Sequence, residues 1–114
     1  MQTPNLRSSS YDLQPRILGS QLTAASVALA DALEHEECRL ENVDEACRHL
    51  EAFELLERGP SAFNVPHQIR AKVHASLEAI REGRLELAHA SLARAGMAFH
   101  KHLTQTDRVR RWTH

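Results

Sequence analysis

From Ile17 onward apolar residues return every three or four positions, and Leu18, Leu22, Ala25, Leu29 and Leu33 fall on one helical stripe. No glycine or proline interrupts the chain from Ser20 to Arg58, and almost every residue there is a competent helix former. The stripe can be carried on through Leu40, Val43, Cys47, Leu50 and Phe53. A single helix over 17–58 would then run about 60 Å, at ~1.5 Å per residue. A competing signal lies inside it. Asn42 stands three residues before Glu45, the spacing of a capping box, and Asp44 and Glu45 would suit the positive end of a new helix. The pattern predicts a break near 40–43, with one continuous helix as the alternative.

The next boundary is sharper. Gly59-Pro60 ends the helical run, and in the loop "GPSAFNVP" either Asn64 or Pro66 can start another helix. That helix is expected to reach Glu82 with Ile69, Val73, Leu77 and Ile80 on its buried face. Gly83 suits a left-handed cap, and a last helix carries Leu85, Ala88, Leu92, Ala95, Phe99 and Leu103. Residues 1–14 lack periodicity and read as a mobile N-terminal arm; 105–114, "QTDRVRRWTH", read as a basic C-terminal tail. The domain between them, 15–104, is all-α: a small bundle of three to four helices, either two helical hairpins or one long helix plus a hairpin.

Composition narrows the function classes. A chain of 114 residues with net charge -1 and pI near 6.7 is one domain, without the strong basic balance of a dedicated nucleic-acid binder. Mean hydropathy of -0.44, and an alanine-rich apolar run of only 22–33, argue against a membrane span. The first residues show no secretory signal pattern, so the two cysteines are expected as free thiols in a reducing cytoplasm. Arginine outnumbers lysine twelve to two, and alanine is abundant, which hints at a bacterial genome rich in GC.

Several residues invite a chemical reading. His35, Cys38, Cys47 and His49 have the types of a zinc set, but Cys47 and His49 are two apart, ~200° around a helix, and cannot aim at one ion. They are expected as structural residues, with both cysteines buried and both histidines at the rim. His74 and Glu78 on the third helix and Glu86 and His89 on the fourth can meet across Gly83. A Glu-x-x-His pair serves di-iron bundles when it occurs twice; here it occurs once. Neither His49 nor His89 is followed by the Lys and Gly of a histidine phosphotransfer helix, and no glycine-rich phosphate loop is present. No enzyme activity and no cofactor is expected. Arg108, Arg110, Arg111 and Trp112 could touch nucleic acid, but beside Asp107 in a net acidic chain they fit a solvated or partner-contacting end better.

Surfaces for partners remain. Ala24, Ala28 and Ala32 place small side chains at four-residue spacing, open to close approach by another helix, either within the bundle or in a homodimer. Phe63 and Val65 lie in the proline-stiffened loop, as a plug for the bundle end or as a preformed anchor for a partner, and Trp112 is a further candidate contact.

Two resemblances follow from these pieces. "ENVDEACRHLEAF" (41–53) and "GRLELAHASLARA" (83–95) resemble the second helix of a tetratricopeptide repeat, with Ala46 and Ala88 at a spacing longer than that family uses. In size, composition and all-helical pattern, the whole chain also resembles the small bacterial antiactivators of quorum sensing of the QslA type. That resemblance implies a homodimer that binds a LuxR-type transcription regulator and keeps it from dimerising and reaching DNA; it transfers no functional residue.

Overall fold

In the computed structural model the backbone is described for residues 3–58 and 65–112, and the side chains for 15–57 and 65–105. The described chain is an all-α bundle of four helices: α1 (Thr3–Glu34), α2 (Arg39–Arg58), α3 (His67–Arg81) and α4 (Leu85–Trp112). One 3-10 turn, Glu36–Cys38, separates α1 from α2, so the two-hairpin reading holds. The backbone of 3–14 belongs to α1, with Pro15 inside the helix, and that of 105–112 belongs to α4. The boundaries expected at 14 and 105 are therefore not marked by helix ends.

The hairpins α1/α2 and α3/α4 pack against each other mainly through α1 and α4, with a smaller approach between α2 and α3. Leu33 and the 83–87 turn line one hollow, whereas Gly19 lies against Phe99 at the other end, so α1 and α4 run antiparallel. The core is built from Leu18, Leu22, Ala25 and Leu29 of α1, Ala46, Leu50 and Phe53 of α2, Ile69, Val73, Leu77 and Ile80 of α3, and Ala88, Leu92, Ala95 and Phe99 of α4. The helical stripes predicted for α1, α3 and α4 are thus the faces that bury. A buried Leu or Phe side chain contributes roughly 1.5–3 kcal/mol, so these stripes are the main apolar contribution to holding the bundle.

The break between α1 and α2 falls earlier than the predicted 40–43. His35 leaves the helical region (φ -121°, ψ 94°), directly after its N–H closes the last turn on Asp31 at 2.8 Å. Glu34, Glu36 and Glu37 explain the position. No basic residue lies in the last turn of α1, so carboxylates there sit at the negative end of the helix dipole, whereas Glu36 and Glu37 favour the start of a new turn. Arg39 then ties the corner, its Nε donating to the Ala32 carbonyl at 2.9 Å. Asn42 lies inside α2 and caps nothing. Leu40 is 83% exposed, contrary to its place in the predicted stripe. Each three-residue step back from Ala46, to Val43 and then Leu40, falls ~60° short of a full turn, which swings Leu40 off the buried face.

The second corner matches its prediction closely. Gly83 has φ +77°, its N–H bonds the Ile80 carbonyl at 3.0 Å, and the Arg84 N–H reaches back to Ala79 at 2.8 Å, a Schellman cap. Ser76, a fully buried polar residue, donates to the Ala88 carbonyl at 2.8 Å and stitches α3 to α4. The piece 41–53 lies wholly inside α2, whereas 83–95 runs from the Gly83 cap into α4, each the second helix of its hairpin.

Candidate functional site

The sequence offered two kinds of candidate, and the structure sorts them. Among the alanines, Ala28 and Ala32 are buried and only Ala24 stays partly open, so close approach at 28 and 32 is used within the bundle. Val65 is buried in the core cluster beside the start of α3 and plugs that end of the bundle. These three cannot offer a free face as expected, because the chain itself covers them. Phe63 lies outside the described residues, and Trp112 is the last residue of α4, with its side chain outside them.

The four histidines and cysteines of 35–49 are not assembled into one site. Cys38 is exposed in the 3-10 turn, against the expectation that it is buried, because the chain breaks there and lifts it off the bundle. Cys47 is half-buried against the core, and burial first, then the Glu51 and Asp44 carboxylates, push its thiol above the ordinary range; Arg81 opposes them. His49 binds Gln21 Oε1 through Nδ1 at 2.7 Å, fixing α2 to α1. His74 lies 3.8 Å from both Glu54 and Glu78, and Glu78 also takes a 3.0 Å bond from Arg81. Glu86 and His89 do not join that group, so the expected meeting across Gly83 is not made. Among the described residues only Asp31, Glu34 and His35 bring three possible metal-ligand atoms within 4.8 Å of one another, at an exposed corner.

What the sequence did not show is a groove. It runs between the outer sides of α1 and α4, about 1100 Å³ in volume, lined by Gly19, Ser20, Thr23 and Val27 from one helix and Ala93, Gly96, Met97 and His100 from the other. Small side chains line its middle, and its floor is Leu22, Leu92 and Phe99. Val27 is 55% exposed and Met97 75%, so two apolar side chains face water at its rim. A Cβ at Gly19 would make ordinary contact with the Phe99 ring at 3.5 Å, and one at Gly96 would meet nothing within 4 Å. The signal was available in principle: Thr23, Val27, Gly96 and Met97 interrupt the polar faces of their helices.

Two further apolar side chains, Leu40 and Leu55, are exposed on α2, separated by an acidic stretch through Asp44, Glu45 and Glu51. No described helix is long and apolar enough to cross a membrane. Comparison with family models, with curated proteins and with solved structures gave no match for this chain.

Proposed function

We propose that the protein is a non-enzymatic interaction module that binds a partner protein through the α1/α4 groove and inhibits or escorts it. The observation that supports this is the pairing of exposed Val27 and Met97 over a channel floored by Phe99 and lined by small residues. Such a channel accepts the apolar face of a helix. Methionine adapts to irregular partners, and the absence of bulky walls lets a backbone come close.

The resemblance to quorum-sensing antiactivators gives the specific form of the proposal: in a bacterial cytoplasm the partner is a LuxR-type regulator, held away from dimerisation and from DNA. The test is a mobility shift with a LuxR-type regulator from the same genome and its operator. Stoichiometric addition of this protein should abolish the shifted band, and the Val27→Glu and Met97→Glu variants should restore it. A band that survives excess protein, for every such regulator in the genome, would refute the antiactivator reading. Stoichiometric zinc or iron in untagged protein would favour a metal-binding bundle instead, and a salt-dependent shift of DNA by the protein alone a DNA-binding regulator.

A further inference from the structure

The α1/α4 groove carries potential charge of one sign only. Among its lining, the residues that can carry charge are Arg16 of α1 and His100 of α4, both basic, and no described carboxylate lines it. Both lie at one end. Gly19 lies against the Phe99 ring, so Arg16, one turn before Gly19, and His100, next to Phe99, come to the same level of the antiparallel pair. The other end is lined by Val27, Leu92 and Ala93, none of them charged. On the reading of this groove as a protein-binding surface, we infer that its guest is an amphipathic helix with carboxylates at one end.

Backbone chemistry selects a helix over an extended segment. The described elements are all helical, so an extended guest would find no sheet edge to pair with. A helical guest satisfies its own N–H and C=O groups and needs only side-chain contact. The groove supplies that contact through its floor of Leu22, Leu92 and Phe99, and through the rim residues Val27 and Met97. From Arg16 to Val27 on one side, and from Leu92 to Leu103 on the other, it runs roughly 17 Å, at ~1.5 Å per residue. Three guest turns fill that length. Apolar anchors at i, i+4 and i+7 lie over the floor, and the turn beyond them falls beside Arg16 and His100.

Apolar contact alone does not distinguish one amphipathic helix from another. Charge does. A guest carboxylate at the Arg16 end meets opposite charge, whereas a guest lysine there meets like charge beside an apolar wall that holds water back. The uncharged end tolerates either. The groove therefore discriminates against basic helices as well as favouring acidic ones, and both contributions widen the same gap in affinity.

The test is fluorescence anisotropy of labelled synthetic peptides titrated with the full chain. Each peptide is a helix with leucine at i, i+4 and i+7; two of them carry a pair of glutamates, in the first or the last turn, and their counterparts carry lysines there. The better glutamate peptide should bind at least tenfold more tightly than its lysine counterpart, and added salt should narrow the gap. The double variant Arg16→Glu/His100→Glu should reverse the order, and Val27→Glu or Met97→Glu should abolish binding of both. Leu40→Glu, on the exposed side of α2, should change nothing. Circular dichroism confirms the helical content of each variant. Equal affinity for the two charge types, no binding of any peptide, or a preference that survives the double variant would each overturn the inference. So would a dimer, seen by sedimentation velocity, that Met97→Glu dissociates and the glutamate peptide does not, because a second copy would then hold the groove. If charge preference is absent while Met97→Glu still abolishes capture of the regulator, the inference falls and the proposed function stands; if capture is also indifferent to Met97→Glu, both fall.

Discussion

Phe53 of α2 and Phe99 of α4 meet edge to face across the bundle, with 6.2 Å between ring centres and 76° between ring planes. Both are fully or almost fully buried, so the contact joins the two hairpins inside the core. Truncating Phe99 to Ala should cost about 3–5 kcal/mol, measured by urea denaturation, and Phe53→Ala a similar amount. The double variant should lose less than the sum, with a coupling of about 0.5–1.5 kcal/mol, because the edge-to-face contact is counted in both single losses.

The first corner depends on a side chain and the second on a backbone conformation, and they should respond to different substitutions. Arg39→Ala removes the donor to the Ala32 carbonyl and should cost about 0.5–1.5 kcal/mol, with faster amide exchange confined to the end of α1 and the start of α2.

Gly83→Ala forces a side chain onto φ +77° and should cost about 1–2 kcal/mol in thermal or chemical unfolding. Gly96→Ala offers the contrast. It sits in ordinary helix with nothing within 4 Å of the added methyl, so it should stabilise by about 0.5–1 kcal/mol.

The two thiols should separate by reactivity. Cys38 is exposed, whereas the Cys47 thiol is raised by burial and by Glu51 and Asp44. Alkylation at mildly alkaline pH, followed by mass spectrometry, should label Cys38 first. The sign for stability follows from linkage. The folded state holds the Cys47 proton more tightly than the unfolded chain, so stability is fully present below the unfolded thiol pKa and declines as pH rises from there through the folded value. Cys47→Ser should flatten that alkaline decline. A decline of equal size in the variant would contradict the assignment.

How much was legible in the sequence follows from which forces act locally. The stripes of α1, α3 and α4 and the Gly83 cap all express rules that need only a few neighbouring residues, and each corresponds to the structure; the Gly59 boundary lies outside the described residues. The α1/α2 corner does not. Asn42 and Glu45 satisfy a capping pattern, yet the chain turns at His35, where three carboxylates and the reach of Arg39 to Ala32 act together. The buried alanines were read as a possible outer face because a stripe of small residues has the same periodicity on either side of a helix. Only packing decides it: Ala28 and Ala32 face inward, whereas Thr23 and Val27 face out. The groove is a property of two helices 70 residues apart in sequence, and no window along one chain segment contains it.

The loosest edge of the bundle carries a consequence of its own. Between α2 and α3 the outer contacts are polar, with Arg70 3.6 Å from Glu57 and His74 3.8 Å from Glu54, whereas the opposite edge carries exposed Val27 and Met97 over Leu22, Leu92 and Phe99. Amide exchange is therefore expected to be faster along the outer α2/α3 margin than along the α1/α4 spine, and to rise there with added salt.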